Sequence, residues 1–147
     1  MSYLNKEYVI VELIPNKSKD GIIVQLDALK INKNKIVDRF HYRVIDKLVE
    51  NKDLLSLISY DKEGYCYVEN PNNILKDFKV FIEDLDLLII DNEYTKHYLK
   101  SIKNKKESVF KYLKLNYSED VMDKVIKKYK LLESNYIVDL LYEALMF

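Results

Sequence analysis

Dense apolar runs dominate the start of the chain, and apolar positions at helical spacing dominate its second half. Tyr8 to Ile14 reads YVIVELI and closes on Pro15-Asn16. A short run of mostly β-branched and aromatic residues bounded in this way predicts a buried central strand. Lys17 to Gly21 is a turn. Ile22 to Ile31 is a second strand, Asn32 to Lys35 a hairpin-like connection, and Ile36 to Ile45 alternates as a third strand. Connections this short make the three an antiparallel meander. In Asp46 to Asn70 the pattern weakens: Leu54, Leu55, Leu57 and Ile58 suggest a short helix or turn of core contact, and Gly64 a loop.

Pro71 behind Asn70 opens a helix well, since Pro is tolerated in the first turn and Asn caps it. Ile74, Leu75, Phe78, Phe81 and Ile82 then recur at helical spacing. Leu85 to Ile90 reads as a buried strand parallel to the first. Asp91 to Ile102 reads as a helix with Tyr94, Tyr98, Leu99 and Ile102 on one face, and Lys103 to Lys106 as a polar break. Val109 to Leu115 is helical, Ser118-Glu119-Asp120 starts a helix that turns Val121, Val125 and Ile126 inward, and Tyr136 to Phe147 is a final amphipathic helix. Three strands, a helix, a strand and then helices predict an α/β mixed sheet, with residues 1–147 as one domain.

Composition narrows the function. At 147 residues the chain has the commonest domain size, and 48% hydrophobic content is enough for a core. Two Gly and two Pro fit long regular elements. Thirteen Tyr and no Trp beside abundant Lys, Asn and Ile have the look of an AT-rich coding bias, so no single Lys or Tyr marks a binding surface. Lys+Arg and Asp+Glu both number 24, which gives no global attraction to nucleic acid or anionic membrane. Cys66 is the single cysteine, so neither an intrachain disulfide nor a cysteine-based zinc site forms. Met1 to Lys6 carries no apolar signal core, and Leu85 to Ile90 is too short to span a bilayer. The expectation is a cytoplasmic protein without membrane association. A Gly-rich phosphate loop, a G-x-S-x-G elbow and a histidine-based zinc pattern are all missing from the sequence.

Several segments carry a resemblance. Ile22 to Val44, IIVQLDALKINKNKIVDRFHYRV, resembles the second and third strands of the DEDD-type 3′–5′ exonucleases. Asn73 to Asn92, NILKDFKVFIEDLDLLIIDN, resembles their helix, their next strand and the Asn that opens their second motif. Met122 to Phe147 resembles their closing stretch, with Ser134 to Leu140 in the place of the last motif and Ala144 in register. The resemblance implies a ribonuclease H-like fold: a mixed sheet of a three-strand antiparallel meander plus a parallel strand, flanked by helices.

Exonucleases of this kind hold two divalent metals, usually Mg²⁺, with four carboxylates. The metals activate a water and stabilise the leaving oxygen of an in-line displacement. Carried over by position, the first motif falls on Glu12-Leu13-Ile14: one carboxylate survives and the other has become Ile14, which offers no ligand atom. The second motif falls on Asp91 to Thr95, where its Asp corresponds to Thr95, or to Lys96 without a one-residue gap. The general-base His falls on Ser134, and the last Asp is Asp139. Two of four carboxylates remain and the base is gone. Glu12 and Asp139 are then either a residual one-metal site or polar leftovers of a degenerate cleft. Asp91 and Glu93, at the carboxyl end of a strand, are candidates for relocated ligands.

Other residues allow functional and bland readings. His41 falls on a strand and His97 on a helix, and His97 reads best as an exposed helix residue. Lys103, Lys105 and Lys106 with Lys127, Lys128 and Lys130 would bind phosphates without sequence preference, or simply form a solvated surface. Tyr60, Tyr65 and Tyr67 around Gly64 would stack bases or pack a loop.

The expected function is a catalytically inactive exonuclease-like domain retained to bind a protein partner or, weakly, single-stranded nucleic acid, with no cofactor. The alternatives are a divergent active 3′–5′ exonuclease using Mg²⁺ or Mn²⁺ at Glu12, Asp139 and Asp91 or Glu93, and a structural module that self-associates through the third strand as an exposed edge.

Overall fold

The computed structural model of the chain describes residues 6–15, 23–43, 72–90, 95, 96, 99, 106–131 and 136–146. The expectations for Asp46 to Asn70, including the Asn70 cap and the tyrosines around Gly64, lie outside the described residues, as do those for Cys66 and His97.

Among the described residues the strands are β1 (Glu7–Pro15), β2 (Ile23–Asn32), β3 (Lys35–Arg43), β4 (Asp86–Ile89) and β5 (Lys106–Ser108), in sheet order β3-β2-β1-β4-β5. Adjacent strands of the β1–β2–β3 meander are antiparallel, and β4 and β5 add to β1 in parallel. The sheet is therefore mixed, as the short early connections and the later crossover predict. β2 turns into β3 through Lys33 (φ 50°) and Asn34 (φ 70°). Two successive left-handed residues make the tight turn whose twist suits a hairpin, and Asn is at home in it. The pairing then slips by one residue between Lys30 and Ile31, because Val37 is extra on β3. Such a bulge moves every later side chain of the strand to the opposite face from the one simple alternation gives.

Among the described residues, helices α1 (Asn72–Ile82), α2 (Val109–Asn116), α3 (Glu119–Leu131) and α4 (Ile137–Met146) flank the sheet. One face of the sheet carries Val9, Val11, Leu13, Leu26, Ala28, Leu87 and Ile89 and packs on Phe78 and Ile82 of α1. On the other face Tyr8, Ile10, Leu29, Ile31 and Leu88 pack against Val109 and Leu113, Val125, and Val138, Leu141, Ala144 and Leu145 of the other three helices. β1 and β4 are covered on both faces, which is why they read as nearly continuous apolar runs. Thr95 and Lys96 are helical and the Leu99 amide donates to the Thr95 carbonyl at 3.0 Å, in line with the helix expected there.

Two expectations need correction. The polar break at Lys103 to Lys106 runs into β5, a strand made by backbone bonds to β4 with no apolar pattern of its own. Its last residue, Ser108, also caps α2, its Oγ accepting from the Lys111 amide at 3.2 Å. Ile126 does not turn inward as Val125 does; it is 37% exposed. Val121 and Val125, four apart, already fill the inward stripe of α3, and the next residue lies about 100° around the helix. No helix of the described residues is long and apolar enough to cross a membrane.

Candidate functional site

Alternation along β1 puts Glu12 on the same face as Tyr8 and Ile10, towards α4, and Glu12 is 6% exposed. The strand register aligns one polar row across three strands. Glu12 on β1 stands opposite Asp27 on β2, and Asp27 stands opposite His41 on β3. The first turn of α4 lies over this row: Tyr136 stacks on the His41 ring with centroids 3.8 Å apart and planes at 22°. Asp139, one turn further, accepts a hydrogen bond from the Arg39 guanidinium of β3 at 2.8 Å.

Asp27 is fully buried. Burying a carboxylate costs several kcal/mol (on the order of) unless hydrogen bonds replace its water. Two such bonds are present, from the Gln25 side-chain amide and from His41 Nδ1 at 2.7 Å. A carboxylate only accepts, so the imidazole carries its proton on Nδ1. Nε2 is enclosed and meets no hydrogen-bond partner among the described residues. Through Asp27 and Tyr136, His41 thus ties three elements together: β2, β3 and the approach to α4.

Of the seven positions singled out in the sequence, Glu12, Ile14, Thr95 and Asp139 lie among the described residues. Glu12 belongs to the polar row, Asp139 meets Arg39 beside it, and Thr95, buried after β4, donates from Oγ1 to the Leu13 carbonyl at 3.4 Å. That bond pins the segment after β4 to the end of β1, a structural task for Thr95. Ile14 is on β1, its backbone paired with Gln25. Asp91, Glu93 and Ser134 lie outside the described residues. Among the described residues, no group of three or more His, Cys, Asp or Glu is spaced to hold a metal ion.

Sequence reasoning missed Asp27, Gln25, His41 and Arg39 as members of this cluster. A signal existed: Gln25 and Asp27 sit two apart inside an apolar strand, on the face that carries Leu29 and Ile31. Polar residues on a core-facing stripe call for partners. Lys127, Lys128 and Lys130 are exposed on α3, and Lys128 pairs with Glu143 of α4 at 2.8 Å. The sequence matches no known protein-family model and no curated protein.

Proposed function

We propose that this chain is a catalytically degenerate 3′–5′ exonuclease-like domain with a ribonuclease H-like sheet, retained to bind a protein partner. The strand order β3-β2-β1-β4-β5, with β2 alone running against the others, supports the fold assignment because such domains use that arrangement. The observation that carries the functional reading is the ion pair between Arg39 and Asp139. Asp139 stands at the position of the last metal-binding carboxylate, and a guanidinium of the chain itself takes the place of the cation. Isoleucine at position 14 supplies no oxygen, and Thr95 engages the β1 backbone. Hard divalent cations need several oxygen ligands, and these residues do not fit a two-metal site.

The charge around the row favours protein over nucleic acid. Among the described residues Glu12 and Asp27 are buried, and the Arg39 guanidinium is engaged by Asp139. A phosphodiester backbone is held chiefly by Lys and Arg side chains free to meet it, and the row presents Arg39 already paired.

Incubation of labelled single-stranded DNA and RNA with the chain in Mg²⁺ or Mn²⁺ tests the reading. Strands of unchanged length are the expected outcome. Metal-dependent shortening from the 3′ end that Asp139→Ala abolishes would overturn it in favour of a divergent exonuclease with relocated ligands at Asp91 or Glu93.

A further inference from the structure

We propose that the groove between α2 and α3 is a self-association surface that receives a second copy of this chain across a two-fold axis. The groove encloses about 520 Å³ on the outer side of the helix layer. Its floor is apolar: Phe110 of α2 with Met122 and Ile126 of α3. Phe110 and Ile126 are 44% and 37% exposed. Large apolar side chains exposed together along one groove mark a contact surface.

The rims identify the occupant. Lys114 stands on the α2 side, its ammonium held 4.7 Å above the Phe110 ring. Glu119 and Asp123 stand on the α3 side. One rim is therefore basic and the other acidic. An identical groove turned by a two-fold rotation sets the basic rim of each copy on the acidic rim of the other, and lays apolar floor on apolar floor. That is the self-complementarity an isologous dimer requires. The β3 edge is a poorer site for a second copy. It carries Lys35, Asp38 and Arg39, charges of the kind that suppress edge-to-edge pairing. At its turn, Tyr142 of α4 donates to the Asn34 carbonyl at 2.5 Å.

The surface is small. Helices of 8 and 13 residues are about 12 and 20 Å long, and a patch of that extent covers on the order of 240 Å², well short of the roughly 800 Å² per partner of a standard interface. The dimer is accordingly weak, with Kd between about 10 μM and 1 mM. Its groove shares no residue with the polar row of Glu12, Asp27 and His41 or with the Arg39–Asp139 pair.

Sedimentation equilibrium of the full chain over that concentration range, with Lys114→Glu and Asp123→Lys variants, provides the test. Both positions are exposed on helix surfaces, and circular dichroism of each variant serves as the check that it is folded. The wild type should dimerise, more weakly at high salt, and each single charge reversal should weaken it about tenfold or more. An equimolar mixture of the two variants should regain association, because each bad contact of one becomes a good contact with the other. A wild type that stays monomeric at about 1 mM overturns the proposal, as do variants that associate like the wild type, or a mixture no better than its components.

Discussion

Replacing His41 with Phe isolates the buried Asp27–His41 interaction from everything else the ring does. Phe keeps a flat ring against Tyr136 and suits a strand. What disappears is the 2.7 Å bond from Nδ1 to a carboxylate with no solvent exposure. A hydrogen bond to a charged group contributes about 1.5–3 kcal/mol, and a buried carboxylate that loses a donor suffers more than one at the surface. The Gln25 amide remains in place, which keeps the loss towards the lower half of that range, about 2 kcal/mol. Urea unfolding followed by circular dichroism should show a lower midpoint at unchanged slope. The melting temperature should fall by roughly 4–8 °C, at about 2–4 °C per kcal/mol for a chain of this size. Asp27→Asn, singly and in combination, completes a double-mutant cycle, and the coupling between the sites should exceed about 1 kcal/mol. A His41→Phe protein within about 0.5 kcal/mol of wild type, or a coupling below that, would refute the idea that this imidazole satisfies the buried carboxylate.

Two further outcomes follow from the core. Burial, reinforced by the neighbouring phenols of Tyr142, Tyr112 and Tyr117, raises the Tyr8 phenol well above its ordinary value, and burial also raises Tyr117 and Tyr142. The folded state holds these protons more tightly than the unfolded chain, so their stabilisation is complete below pH ~10 and is lost as pH climbs from there towards the raised values. Urea midpoints should therefore fall progressively above pH ~10, less steeply in Tyr8→Phe; a midpoint flat to the alkaline limit would contradict this. Phe78 is fully buried between α1 and the sheet, edge-on to Phe40 with centroids 5.5 Å apart. Phe78→Ala should cost about 3–5 kcal/mol by the same unfolding assay, and a loss under about 1 kcal/mol would place that ring outside the core.

The elements easiest to read from sequence are those with the strongest physical pattern. β1 and β4 are apolar on both faces, α1 repeats Leu75, Phe78 and Ile82 at helical spacing, and α4 opens after Tyr136 close to where it was expected. β5 was illegible because its sequence, Lys106-Glu107-Ser108, is polar and its strand character comes wholly from β4. The His41 contact was hidden by the bulge. Counting out from the Asn32–Lys35 pair, whose numbers sum to 67, would set Asp27 opposite Phe40; the extra residue Val37 raises the sum to 68 and brings His41 there instead. The same slip puts Arg39 on the α4 side, within reach of Asp139. The exonuclease resemblance singled out Glu12 and Asp139 in the sequence, but the cation that pairs with Asp139 depends on one inserted residue that no periodicity announces.

With Arg39 as the cation of Asp139, as proposed above, this fold needs no divalent metal there. Calorimetric titration of Mn²⁺ into the chelator-treated chain should therefore show no stoichiometric heat in the micromolar range, in the wild type and in Asp139→Ala alike. Two Mn²⁺ bound per chain in the wild type, and lost in Asp139→Ala, would contradict it.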